Sequence, residues 1–162
     1  MRLTYHTDYA LRVLLYLAAL PDTQRAHIQD IADTYAISSN HLMKIVHQLG
    51  KLGYIETIRG RNGGMRLARN PADIRIGEVV RQTEEDFFLV ECFDREYNCC
   101  VITPICNLRT ALQEALAAFL SVLDRYTLAD LTSNKALSLL SYWLDDGLRS
   151  PAFGGLEGVP LA

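Results

Sequence analysis

The stretch SSNHLMKIVHQLGKLGYIETIRGRNGGMRLAR, residues 38–69, changes its hydrophobic period partway along, so no single element can accommodate it. In its first half Leu42, Ile45, Val46 and Leu49 recur at spacings of three and four. That predicts a helix capped by the hydroxyl of Ser38 or Ser39 and stopped at Gly53. In its second half Tyr54, Ile55, Thr57 and Ile58, then Met65 and Leu67, flank RGRNGG. That predicts two strands and a turn, with Asn62-Gly63-Gly64 supplying the positive φ angles a hairpin needs. Just upstream, HIQDIADTYAI places Ile28, Ile31, Ala32 and Tyr35 on one face of a short helix. Two short helices joined by a tight turn, the second polar in its first turn, fit a helix-turn-helix. A hairpin directly after them occupies the place of a wing. Ser38, Ser39, Asn40, His41 and Lys44 then fall in the first turns of a helix suited to a major groove. Arg59, Arg61 and Asn62 fall at the wing tip, with Arg66 and Arg69 behind, where arginines fit phosphate or minor-groove contact.

The flanking segments are helical too. TDYALRVLLYLAAL, starting at Thr4 or Thr7 and running to Ala19, puts Leu11, Leu14, Leu15 and Ala18 on one stripe and Asp8 in the positive first turn. DIRIGEVVRQTEED predicts a helix from about Ile76 to Glu85 with Val79 and Val80 inward. Thr103-Pro104 is expected to open a long helix whose apolar stripe holds Leu108, Leu112, Ala115, Leu116, Phe119, Val122 and Leu123. Such a stripe could pack on its own domain or pair with a second copy. TLADLTS and NKALSLLSYWLDD follow as short helices. The fold class is therefore mainly α with a small β-hairpin: a winged helix-turn-helix plus a long dimerisation helix. Residues 1–75 are expected to form the DNA-binding region, 76–145 a loop and dimerisation region, and 146–162 a Gly- and Pro-rich flexible tail.

Charge agrees with that division. Residues 1–75 carry ten Lys/Arg and six Asp/Glu, a balance of +4, while residues 76–162 carry six and thirteen, a balance of −7, giving the net −3 of the chain. A basic front half suits an anionic partner such as nucleic acid. No apolar run reaches membrane-spanning length and the N-terminus lacks the order of a signal peptide, so a cytoplasmic protein without membrane contact is expected. No nucleophile–base constellation is visible, and GRNGG leads into a strand rather than a helix, so it is no phosphate cradle; an enzyme is not expected. The histidines His6, His27, His41 and His47 lie in the front half and are expected as surface or groove residues.

All four cysteines, Cys92, Cys99, Cys100 and Cys106, lie within VECFDREYNCCVITPICNL. A structural zinc site would show paired C-x-x-C knuckles, which are absent. A thiol–disulfide switch is a second reading. The third is an iron–sulfur cluster, whose separate irons suit thiolates spread along a wrapping loop. Cys92, Cys100 and Cys106 give C-x7-C-x5-C, and Cys99 in place of Cys100 gives C-x6-C-x6-C. Either set leaves a fourth ligand to come from elsewhere.

MRLTYHTDYALRVLLYLA, ISSNHLMKIVHQLGKLGYIETIRGRNGGMRLAR, IGEVVRQTEEDF and the C-x7-C-x5-C loop before a long helix, taken together, resemble the Rrf superfamily of winged-helix iron–sulfur repressors, on its nitric-oxide-sensitive branch. The likeness covers about residues 1–145, with the motifs in the family's order. It implies a homodimer that binds double-stranded operator DNA when it carries a 4Fe–4S cluster, in preference to a 2Fe–2S one, and lets go when nitric oxide attacks the cluster. Cys92, Cys100 and Cys106 match the family's thiolates, and Asp8 matches an oxygen ligand given by the first helix of the other subunit. Cys99 lies outside the triad. The cluster-biogenesis branch of the family has a histidine just after its last cysteine; here that region reads Cys106-Asn107-Leu108-Arg109, which departs from it. A cluster-biogenesis, iron-sensing or thiol-redox regulator of the same superfamily remains the alternative.

Overall fold

A computed structural model describes residues 2–60 and 63–132 of the 162-residue chain. Within them the expected winged helix-turn-helix is present, followed by a cysteine-bearing loop and a long helix. The segment NKALSLLSYWLDD, the tail, Arg61 and Asn62 lie outside the described residues.

Helix α1, Tyr5–Ala19, starts on Thr4, whose hydroxyl accepts from the Thr7 N–H. Its buried residues are Thr7, Ala10, Val13, Leu14, Tyr16 and Leu17. Of the stripe expected from periodicity only Leu14 is fully buried, while Leu11, Leu15 and Ala18 pack partly buried at its margins. The reason is enclosure: later helices and the second strand of the hairpin approach α1 from several sides, so burial is not confined to one stripe. Helix α2, Ile28–Tyr35, is held at its start by the Asp30 carboxylate, which accepts from the His27 N–H at 2.7 Å, and ends on left-handed Ala36. Helix α3, Ser39–Lys51, is capped by Ser38, whose hydroxyl accepts from the His41 N–H. Leu42, Ile45, Val46 and Leu49 all face the core, as the spacing predicts, and Gly53 turns the chain away at φ +73°.

Strands β1, Ile55–Ile58, and β2, Gly64–Leu67, pair antiparallel with Ile55 opposite Leu67 and Ile58 opposite Gly64. Ala26 bridges to Met65 from outside the hairpin, fastening the wing to the segment before α2. The turn differs from expectation. Gly60 (φ +109°) and Gly64 (φ +140°) take positive φ, whereas Gly63 does not. Gly63 is needed for a different reason: a Cβ there would run into the Ile58 carbonyl oxygen and lie 2.8 Å from that of Gly60.

Helix α4, Ile76–Thr83, stops two residues before the expected Glu85, because Glu84 is already extended. Short 3₁₀ turns at Glu91–Phe93 and Thr103–Ile105 punctuate the cysteine loop. The long helix α5 is Asn107–Asp124, with Cys106 at the N-cap position and no side-chain capping bond. Thr103 and Pro104 therefore form the turn before it rather than its first turn; the lone turn closes on Cys106, whose φ and ψ are extended. Helix α6, Leu128–Thr132, returns to the core through Leu128. Buried residues of α1, α2, α3, α4 and α6 and of the hairpin form one continuous cluster, α4 contributing Ile76, Val79 and Val80, and Leu120 and Leu123 of α5 pack against it partly buried.

Helices α4 and α5 are clamped together. Asp124 accepts from both Arg81 guanidinium nitrogens, at 2.5 and 2.7 Å, and its carbonyl accepts from Arg75 at 2.9 Å. Gly77 lies under this carboxylate, where any Cβ would collide with it.

Two outcomes follow. Gly63→Ala should destabilise the protein by about 1–3 kcal/mol, since backbone cannot yield as a side chain can. Gly50→Ala, inside α3 with open space around it, should instead gain about 0.5–1 kcal/mol. Urea midpoints at unchanged slope measure both. The hydrogen bonds from Arg81 hold the Asp124 carboxyl below its ordinary value. A depressed folded-state value means the contribution is present at neutral pH and fades as pH falls below the ordinary carboxylate range. Asp124→Asn should lose stability at neutral pH and show a shallower decline in acid, followed by circular dichroism.

Candidate nucleic-acid interface and thiol loop

The candidate reading head lies at the first turns of α3. Ser38 spends its hydroxyl on the cap, and the Ser39 hydroxyl donates to Gln29 Oε1 of α2 at 3.3 Å, which fixes the turn between the two helices. Asn40, His41 and Lys44 are exposed. The His41 ring lies 6.4 Å from that of Tyr9 on α1. At the wing Arg59 is exposed, with no ion pair among the described residues. The two arginines behind it are otherwise engaged. Arg66 pairs with Glu56 across the hairpin. Arg69 donates to the carbonyls of Gly53 and Leu52 at 3.0 and 2.9 Å and lies over the Tyr54 ring. These two hold the wing's base, Arg69 meeting carbonyls that the C-terminal end of α3 would otherwise leave unpaired.

A set of residues not singled out by their spacing joins the head to the rest. His6 on α1 hydrogen-bonds Gln48 on α3, and Gln48 donates to the Gln82 carbonyl of α4 at 3.0 Å. Tyr54 donates its hydroxyl to Gln82 Oε1 at 2.8 Å. Burial, with the Glu78 charge adding to it, pushes the Tyr54 phenol up to about 12, so it remains a donor at neutral pH. Two glutamines near the ends of helices were the available signal, but polarity at such positions is also what solvent demands.

Asp8 lies half-buried in the first turn of α1, where its carboxylate accepts from Arg12 Nε at 3.1 Å and Nη2 at 2.8 Å. Arg12 in turn lies over the rings of Tyr9 and Tyr35. Next to Asp8, the start of α1 is tied to the end of α4, the Thr4 N–H and hydroxyl both donating to Glu84 Oε1, at 2.7 and 3.2 Å.

In the loop all four thiols are free; Cys92, Cys100 and Cys106 are partly covered and Cys99 is exposed. The Asn98 side chain organises the turn, accepting from the Cys100 N–H at 3.0 Å and donating to Thr103 Oγ1 at 3.1 Å. Glu91 Oε1 accepts from the Cys99 N–H at 2.7 Å, drawing the strand of the loop near Cys92 toward it. Among the described residues no three His, Cys, Asp or Glu side chains form a group that could hold a single metal ion. The donor set nevertheless suits a cluster. Its thiolates sit on separate irons and stand farther apart than the ligands of one ion, and soft sulfur is what iron–sulfur centres take. Cys106 occupies the N-cap position of α5, so its thiol stands at a helix N-terminus, where negative charge is favoured.

The exposed side chains cluster around the same region. Val101 is 91% exposed, Ile105 82% and Leu108 66%, and α5 has no fully buried residue although its stripe is apolar. No helix among the described residues is long and apolar enough to cross a membrane.

Comparison with known proteins gives this arrangement a family. The Rrf2 family, described as an iron-dependent transcriptional regulator, matches residues 3–134. The chain is 60% identical over 135 residues to the HTH-type transcriptional regulator NsrR of Bacillus subtilis, covering 83% of this chain and 92% of that protein. It is 63% identical over 136 residues to NsrR of Geobacillus kaustophilus, covering 84% and 92%. Among solved structures the fold is similar to T. potens IscR, with a TM-score of 0.67 at 22% identity, covering 84% of this chain and 90% of that one. A winged reading head, a free-thiol loop and a match over more than four-fifths of the sequence converge: the chain belongs to the Rrf2 family of transcriptional regulators, DNA-binding proteins rather than enzymes.

Proposed function

We propose that this chain is a nitric-oxide-sensing repressor that binds operator DNA as a homodimer when it carries a 4Fe–4S cluster and releases the operator when nitric oxide reacts there. The observation that supports this most is the extensive identity to NsrR regulators in a chain whose loop thiols are all free. The nitric oxide signal itself rests on the resemblance to that branch of the family.

When bound, the cluster supplies iron at which a diatomic can react. The chain's own residues do the rest. Cys92, Cys100 and Cys106 would hold it as thiolates, and Asp8 of the partner subunit would give the oxygen ligand. Within one chain Asp8 is engaged by Arg12, so ligation requires Arg12 to surrender or share one carboxylate oxygen. The exposed apolar stripe of α5 supports pairing of two copies, and a two-fold dimer is what places two reading heads on one operator. Asn40, His41 and Lys44 would reach base edges, Ser38 and Ser39 the backbone nearby, and Arg59, Arg61 and Asn62 the phosphates or minor groove beside the wing. In this reading residues 1–75 form the reading unit and residues 76–145 the sensing and pairing unit.

Transmission has a candidate route. Helix α4 contacts the head through Gln82, the start of α1 through Glu84, and α5 through Arg81. A change in the loop that tilts α5 or α1 is felt by α4, and through Gln48 by α3. Lowering operator affinity about 100-fold needs about 2.7 kcal/mol of coupling, within the reach of a few rearranged hydrogen bonds and one ion pair.

A second reading, a cluster-free thiol-redox regulator of the same family, is favoured by one observation: all four loop thiols are free and Cys99 is exposed. Anaerobic purification separates the two. The cluster reading expects a brown protein absorbing near roughly 400 nm that holds iron and sulfide. Titrating it with nitric oxide should then bleach the colour and release a labelled operator together, and bleaching without release would remove the signal from the reading.

The thiolate assignment has its own expected outcome. Cys92→Ala, Cys100→Ala and Cys106→Ala should each abolish assembly, whereas the exposed Cys99 should tolerate alanine; iron and sulfide analysis decides, and a reversed result for Cys99 and Cys100 would exchange their roles. On the DNA side, Arg59→Ala should weaken operator binding and lower the slope of log affinity against log salt by about one. Arg66→Ala, whose charge is paired with Glu56, should leave that slope nearly unchanged. Fluorescence anisotropy across a salt series measures both.

A further inference from the structure

Arg109 is placed against the ordinary rules. It stands in the first turn of α5, where a cation meets the positive end of the helix, and that turn contains no acidic residue to offset it. Its Nε is buried and is the one buried side-chain polar atom among the described residues without a hydrogen-bond partner. A buried N–H left unpaired weakens a fold unless something outside the chain accepts it. No carboxylate among the described residues pairs with Arg109: in the loop, Glu91 accepts from the Cys99 N–H and Asp94 from the N–H groups of Glu96 and Tyr97. Three residues before Arg109, at the N-cap position of the same helix end, is Cys106.

A misplaced cation, an orphaned donor and a thiol at one helix end describe half of an interaction whose other half is anionic. We infer that Arg109 is a positioning residue for the sulfur-ligated iron group of the loop, its Nε–H donating to a sulfur of that group and its charge offsetting the charge the thiolates bring. This rests on the cluster reading given above. A guanidinium suits the role better than an ammonium because its N–H directions are fixed by a rigid plane. It also gives the loop a reason to close around its cofactor. Without the cluster, Arg109 carries an unfavourable charge and an unmet donor; with it, both are satisfied, so binding is coupled to ordering of the first turn of α5.

The test compares wild type, Arg109→Gln and Arg109→Lys, each reconstituted anaerobically with iron and sulfide and then exposed to EDTA while the cluster absorbance is followed. Arg109→Gln should lose iron about tenfold faster than wild type, the scale typical of an outer partner of a metal site, with Arg109→Lys between them. The melting temperature of the cluster-free proteins gives a second, independent readout. There Arg109→Gln should melt at or above wild type, because it removes a charge that nothing in the chain satisfies. Equal iron-loss rates in wild type and Arg109→Gln would overturn the inference while leaving the cluster reading intact. So would an equal loss of melting temperature in loaded and cluster-free forms, which marks a merely structural arginine. Wild type that takes up neither iron nor sulfide would overturn the cluster reading, and the inference with it.

Discussion

The enclosure of α1 is the constraint on which the rest of the structure depends. Ala10, Val13 and Leu14 are sealed from solvent because α3, α4, α6 and β2 all close on this one helix. Each fully buried Val or Leu contributes about 1.5–3 kcal/mol, and none could do so with only one neighbour. The reading helix, the wing and α4 therefore share a single floor. Movement of α1 cannot be absorbed locally, since close-packed interiors transmit displacement rather than damp it.

Polar contacts give that floor its direction. The His6–Gln48–Gln82 chain runs from α1 through α3 to α4, and Thr4 ties the start of α1 to Glu84 at the end of α4. Asp8 sits within that same first turn, paired with Arg12. A residue proposed to reach a partner subunit thus stands beside the anchor that links α1 to α4. Geometry of this kind lets a small event at one helix end bias a whole packed unit, as switching elements require.

Much of this was legible in the sequence, and unevenly so for physical reasons. The core face of α3 was readable residue by residue because the helix buries one stripe against one set of neighbours, which is the situation periodicity describes. The face of α1 was not, because a helix enclosed on several sides buries more than one stripe, taking in Ala10, Val13 and Tyr16 and leaving Leu11 and Leu15 at the margin. The wing was visible as a hairpin, but the role of each glycine was not: positive φ falls on Gly60, while Gly63 answers to a close backbone approach set by the closed turn. Thr103-Pro104 looked like a helix start because proline suits that place, and the extended backbone of Cys106 moved the start to Asn107. Arg66 and Arg69 shared with Arg59 a residue type and a neighbourhood. Only the fold reveals that Glu56 and the end of α3 claim the first two.

The clamp between Arg81 and Asp124 is exposed, both side chains being about two-fifths accessible. Dissolved ions screen such a pair, as they screen contacts to phosphate. Salt therefore acts on this regulator twice, once by competing for DNA and once by loosening the hinge that sets α5 against α4. The steepness of an operator titration in salt contains an intramolecular part as well as the count of displaced counterions.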